Sequence, residues 1–386
     1  MSAHILNFHD TVLLATGFQS LLFIFLILWV KHERHISDYF LIGFFIAQIA
    51  IPLHLLVNYN HEIRILGLQV SPNLFHIFDI AYWVEGPLLL WYTRSILYKN
   101  FALRKKDALY LLPTLIYFIY MSVVFYSLDL SGQIEYLKIE QDADSPTFIH
   151  GLDAIREGLR VFFGVLCLID IRQARSELRE QFSNIEKIDI GWLSILVIAF
   201  TGVRVWILLV VSASIFIPSL GESVFNYLGL AGNYLTFALI TALMFLSLQR
   251  SSIFDGHMTQ DTTSNDPEDS ELNPELARKI ENHMREEKPY LLPLLNLDQL
   301  ASQLSMHPRA LSVAIKKHFK TNFYEFVNSY RINEAKIILA DPKQKQKTMI
   351  EISGDCGFNS KATYNSFFKK LVGSTPTQYR AENLPD

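Results

Sequence analysis

The chain has 386 residues, half of them hydrophobic, with 34 basic against 38 acidic side chains and a formal net charge of −4. That length accommodates two domains. The two cysteines, Cys167 and Cys356, have no partner at useful spacing, which excludes a disulfide framework and a zinc site.

The N-terminus does not read as a cleavable signal peptide. Met1 to Asp10 contains no Lys or Arg, and the apolar run that follows is long enough to span a bilayer. Hydrophobic segments of spanning length run at about 11–30, 39–57, 74–98, 108–128, 153–171, 192–217 and 225–249, and the fifth is the least apolar. Seven transmembrane helices are expected. Loops one, three and five carry ten bases: Lys31 and Arg34; Lys99, Arg104, Lys105 and Lys106; Arg172, Arg175, Arg179 and Lys187. The N-terminus and loops two, four and six carry only Arg64 and Lys138. The positive-inside rule therefore puts the N-terminus outside, and an odd number of spans delivers the C-terminus to the cytoplasm.

Several ionisable groups fall inside these segments, where charge is costly and, by default, functional. They are His76, Asp79 and Glu85 in the third, Arg156, Glu157 and Arg160 in the fifth, and Arg204 in the sixth; the seventh carries Asn226 and Asn233. Asp79, Glu85, Arg156, Arg160, Arg204 and Asn233 outline an outward-facing polar cavity for a small charged or zwitterionic ligand. The competing expectation is that these groups only pair across helices. Six histidines (His4, His9, His54, His61, His76 and His150) map to the outer side, without metal-binding spacing. A retinal photoreceptor is excluded, because the seventh segment has no lysine.

Residues 251–274 hold six acids and no base and read as a disordered acidic linker. From 275 to the end, 17 bases face 12 acids, so the overall charge conceals a basic C-terminal domain suited to phosphate binding. Asn273-Pro274 starts an amphipathic helix running to Glu287. Leu297, Leu300, Ala301 and Leu304 mark a short helix, Ser305-Met306 a turn, and Pro308 to Phe319 a second helix with Leu311, Ile315 and Phe319 inward. A long amphipathic helix follows from Phe323 to Leu339. The pattern then recurs: Ile350, Ile352 and Ser353 on a helix, a turn at Gly357-Phe358, and a helix over Ser360 to Lys370 with Tyr364, Phe367 and Phe368 inward. Two helix-turn-helix units are expected, at about 297–319 and 349–370.

Residues 275–384 resemble the DNA-binding domain of AraC/XylS-type regulators. The resemblance is carried by Tyr330-Arg331-Ile332, Ala335 and Leu339, then Gly357-Phe358-Asn359-Ser360, Phe368-Lys369-Lys370, Gly373, Thr375-Pro376 and Tyr379-Arg380. It implies two recognition helices, held by the linking helix, that enter successive major-groove segments of double-stranded promoter DNA. RNA polymerase is the implied further partner. By family position, Arg309, Ser312 and Lys316, with Ser360, Lys361, Thr363 and Asn365, are expected at base edges. Lys317, Lys369 and Lys370 are expected at phosphates. Two positions depart from the family pattern: Ser353-Gly354, where Ala and a helix former are usual, and Val313, where a long polar residue is common.

The fold class expected is all-α: a seven-helix membrane domain (1–250), the acidic linker (251–274) and a cytoplasmic double helix-turn-helix domain (275–386). The leading expectation is a one-component transcription regulator in the cytoplasmic membrane of a bacterium, with ligand-controlled dimerisation as its switch. A transporter or enzyme-like domain with an autoregulatory DNA-binding tail is one alternative, and a non-sensing tether is another. No nucleotide loop, Ser/His/Asp arrangement or metal-ligand motif is visible, so no enzyme activity, cofactor or metal is expected.

Overall fold

A computed structural model describes residues 6–30, 34–98, 101–141, 147–183, 191–249 and 274–384. Among these the regular elements are helical, and the chain divides into two compact units. Of the described residues, 6–171 and 191–249 belong to the first unit, and 172–183 and 274–384 to the second. The expected acidic linker lies outside the described residues, apart from Pro274, which opens a helix.

The first unit contains α1 (Phe8–Val30), α2 (Ile36–Tyr59), α3 (His61–Val70), α4 (Leu74–Ile77), α5 (Ile80–Leu97), α6 (Leu112–Val124), α7 (Leu130–Gln141), most of α8 (Thr147–Gln181), α9 (Gly191–Phe216) and α10 (Glu222–Gln249). The seven expected spanning segments lie largely on helix, although the fourth leaves it after Val124. Among the described residues, five helical stretches are long and apolar enough to cross a membrane: Phe8–Trp29, Ile36–Tyr59, Lys105–Val124, Gly191–Phe216 and Ser223–Phe245. The other two expected spans lie on α5 and α8, whose charged side chains lower their hydropathy below that of a plain span. The third expected segment is also not one helix; it breaks at Phe78-Asp79 between α4 and α5.

Helix α2 packs on α1 and α5, and α10 on α1 and α9. Close approach at α8 uses glycine: a Cβ at Gly86 would meet the Phe163 ring at 2.5 Å, and one at Gly164 would meet Thr201 Oγ1 at 2.3 Å. Small residues at such crossings let helix backbones approach closely.

The second unit contains the end of α8 and then α11 (Pro274–Glu286), α12 (Leu297–Gln303), α13 (Pro308–His318), α14 (Phe323–Ala340), α15 (Met349–Asp355), α16 (Lys361–Val372) and α17 (Pro376–Asn383). Side-chain caps set the starts of most of these helices. Asn296, Asn322, Thr348, Ser360 and Thr375 each accept a backbone N–H of the first turn, satisfying donors that the helix itself leaves open. Two cores flank α14. Phe323, Phe326 and Val327 join Leu300, Leu311 and Ile315 in the first. Ile332, Ala335 and Leu339 join Ile352, Tyr364 and Phe368 in the second. One helix thus supplies a wall to both reading units and fixes their separation.

Candidate nucleic-acid interface

The two turns are built alike. In the first, Met306 N–H donates to Ala301 O at 2.9 Å, and Ser305 between the helices has φ 53°. In the second, Phe358 N–H donates to Ser353 O at 2.9 Å, and Gly357 has φ 83°. The left-handed residue sits at the matching place in both. At Gly357 no other residue fits, because a Cβ would meet Tyr290 O at 2.6 Å and Leu291 O at 2.9 Å.

Each recognition helix buries one stripe and offers the opposite one. On α13, Leu311, Ala314 and Ile315 are buried, while Arg309, Lys316 and Lys317 are exposed and Ser312 is half-buried. Arg309, Ser312 and Lys316 follow a spacing of three and four, so they share a face. On α16, Tyr364, Phe367 and Phe368 are buried; Lys361, Asn365, Lys369 and Lys370 are exposed, and Thr363 is half-buried.

Ser360, Lys370 and Lys316 are engaged within the unit. The Ser360 hydroxyl accepts from Ala362 N–H at 3.1 Å and Thr363 N–H at 3.4 Å, so it caps α16. Lys370 donates to the Glu325 carboxylate at 2.9 Å, and this bond holds Glu325 below the usual carboxylate range. Lys316 Nζ lies 3.5 Å from Glu180. Ser366, exposed beside Asn365, is a further groove-facing candidate that sequence reasoning passed over. An exposed serine between aromatic core residues leaves no pattern to find it by.

Beneath these faces lies a buried arginine whose role the sequence reading did not assign. Arg331 Nε donates to Tyr290 O at 2.7 Å, Nη2 to Leu292 O at 2.8 Å, and Nη1 to Asn328 Oδ1 at 3.2 Å. Burial lowers its pKa to about 10, so it is charged at neutral pH. Cys356 is buried as well, its thiol pushed up to about 12, which makes it a packing residue rather than a reactive one.

The expected cavity residues of the first unit fall into separate groups. Glu85 accepts from Gln48 at Oε1 and from Arg160 at Oε2, and Arg204 Nη2 lies 3.6 Å from Oε1. Arg160 also reaches Glu157 at 2.7 Å. Asp79 belongs to a second group, 3.0 Å from His54, 2.9 Å from His76 and 2.8 Å from the Tyr117 hydroxyl. Arg156 pairs with Asp153 at 2.9 Å, lies over the Tyr82 ring, 4.1 Å from its centre, and reaches Glu157 of the first group at 3.6 Å. Asn233, half-buried on α10, joins neither group.

Residues 300–382 match the family described as "Helix-turn-helix domain". Over 88 residues the chain is 35% identical to the uncharacterized HTH-type transcriptional regulator YtdP of Bacillus subtilis (strain 168), a match covering 23% of this chain and 11% of that protein. A crystal structure of a transcriptional regulator (AraC-type DNA-binding domain-containing proteins) from Chromobacterium violaceum overlaps 29% of this chain and 98% of its own, at 21% identity and a TM-score of 0.26. The C-terminal part of the chain, residues 300–382, is a helix-turn-helix domain.

Proposed function

We propose that the chain is a membrane-anchored one-component transcription regulator, whose N-terminal helices hold it in a bilayer and whose C-terminal domain reads promoter DNA. The observation that carries this reading is the presence, in one chain, of two alike helix-turn-helix units and at least five helices of membrane-crossing length. Loop charge favours seven spans over five. If α5 and α8 did not cross, Arg64, Arg94, Lys99 and Arg104 would share one outer loop, against the positive-inside rule. At 35 residues, α8 is about 52 Å long, enough to cross a hydrocarbon core of about 30 Å and project beyond it. With the N-terminus outside, seven spans bring the basic domain to the cytoplasmic side.

Both recognition helices are expected to enter major-groove segments about one helical turn apart. Arg309 and Lys361 then suit guanine edges and Asn365 suits adenine, while Lys317 and Lys369 hold phosphates. The paired charges around Glu85 belong to the sensing half of this reading, as a site for a small charged ligand or as the bond that such a ligand breaks.

Two measurements on the full chain test the proposal. The protein should stay with membranes through alkaline extraction. In lipid nanodiscs it should select, from a random duplex library, a motif with two conserved blocks spaced by about one turn. A chain that washes off membranes, or one that selects no motif, overturns the reading.

A further inference from the structure

The end of α8 is unused by that reading, yet it is built into the DNA-reading unit. Past Gln181 the chain leaves the helix, and Phe182 forms an antiparallel bridge with Asn296, the residue that caps α12. Ser183 N–H donates to Leu295 O at 3.2 Å, and its hydroxyl donates to the same carbonyl at 2.5 Å. The Ser183 carbonyl accepts from Asn328 Nδ2 at 3.2 Å and Arg331 Nη1 at 3.3 Å, while Arg331 Nη2 donates to Ser183 Oγ at 3.3 Å. Ser183, Asn328 and Arg331 are 1%, 0% and 0% exposed. A guanidinium and an amide this deeply buried need partners, and Ser183 completes both sets.

One turn earlier, Glu180 brings its carboxylate to Lys316, on the face of α13 shared with Arg309 and Ser312. Arg179 turns the other way, over the Tyr324 ring at 6.0 Å.

We infer that residues 172–183 are an intrachain clamp on the DNA reader, seated through Ser183 on Arg331 and opposing DNA binding through Glu180 on Lys316. The inference rests on the reading proposed above. Seated, the clamp occupies a cation that DNA would use and sets a carboxylate where phosphate approaches. Released, it frees Lys316, while Arg331 keeps its bonds to Tyr290, Leu292 and Asn328, so the reader stays folded in both states. A signal acting on α8 can then shift the balance between two states of different DNA affinity, without passing through the linker at 251–273.

The experiment uses the full chain in lipid nanodiscs and, as probe, the duplex that the wild-type chain selects. Residues paired across an antiparallel bridge have Cα atoms about 4.5–5.5 Å apart, within disulfide range. Phe182→Cys with Asn296→Cys should therefore crosslink under copper–phenanthroline and reopen under dithiothreitol. Oxidised, this variant should bind the duplex roughly tenfold more weakly than reduced. Glu180→Gln, which leaves Ser183 in place, should bind more tightly than wild type, with a salt dependence steeper by about 0.9 in log–log slope. Failure of the crosslink to form, equal or tighter binding when locked, or an unchanged slope for Glu180→Gln overturns the clamp while leaving the regulator standing. If no variant selects a duplex, the proposed function falls and the clamp falls with it.

Discussion

Arg331 and Tyr290 are joined across forty-one positions by a 2.7 Å bond from guanidinium to backbone carbonyl, beneath the turn of the second reading unit. The same guanidinium holds Leu292 O, so the entry to α12 and the middle of α14 share one anchor. Replacing Arg331 by Ala leaves the Tyr290 carbonyl without its partner, leaves Leu292 O with the Leu295 N–H alone, and opens a cavity. It should destabilise the DNA-binding unit by about 3 kcal/mol. Arg331→Lys keeps the charge but not the fork of donors, so it should recover less than half of that. The lower-temperature unfolding transition of the full chain would report both losses; unchanged transitions would show that the anchor is dispensable.

The two glycines of the second unit should respond in opposite ways. At Gly357, φ is 83° and backbone oxygens stand within 3 Å of any Cβ, so Gly357→Ala should cost roughly 3 kcal/mol. Gly354 is exposed on α15 with nothing within 4 Å of its Cβ position. Gly354→Ala should therefore stabilise the unit by about 0.5–1 kcal/mol, correcting the departure from family pattern seen in the sequence. Denaturant midpoints for the pair decide the matter, and two shifts of the same sign would contradict it.

Base readers and phosphate holders should separate by salt and sequence. Arg309→Ala or Asn365→Ala should cost about 1–3 kcal/mol on the selected duplex and relax preference at one base pair. Lys369→Ala should weaken all duplexes alike and reduce the salt slope by about 1. Glu325→Gln removes the carboxylate that holds Lys370 at 2.9 Å, so it should steepen the slope instead. Titrations at several salt concentrations on selected and scrambled duplexes give all four results. A Lys369 variant that changes base preference would reverse the assignment.

The DNA-binding domain was legible because its information is local. Leu297, Leu300, Ala301 and Leu304 repeat at helical spacing, and Gly357-Phe358 marks a turn that only a residue with positive φ can make. Ser305 makes the same turn without that signature, and its place was readable only from the helices on either side. Partnerships between distant positions were not legible. Nothing in the local pattern of Ser183 shows that it completes the bonds of Arg331, and the buried role of that arginine is hidden in a run otherwise read as a helix face. The same holds for the charges within the apolar segments: their presence was visible, but periodicity does not say whether Glu85 meets Arg160, Arg204 or neither.

Glu85 is fully buried with Gln48, Arg160 and Arg204 around it, and Glu157 takes the far side of Arg160. With Arg156, 3.6 Å from Glu157 and 2.9 Å from Asp153, three carboxylates face three guanidiniums, which leaves the group neutral as a set and charged if any member is removed. Breaking such a set by deleting one partner is expensive, about 3–5 kcal/mol, whereas replacing both by apolar side chains is far less so. Glu85→Ala should therefore destabilise the first unit strongly, and Glu85→Leu with Arg160→Met should recover much of the loss. If the group is only a structural tie, the double variant should regain both stability and promoter response. If a charged ligand works by entering this network, the double variant should regain stability alone. Thermal unfolding in nanodiscs, set beside a reporter driven by the selected duplex, separates the two outcomes. A single Glu85→Ala variant as stable as wild type would show that neither role is needed for the fold.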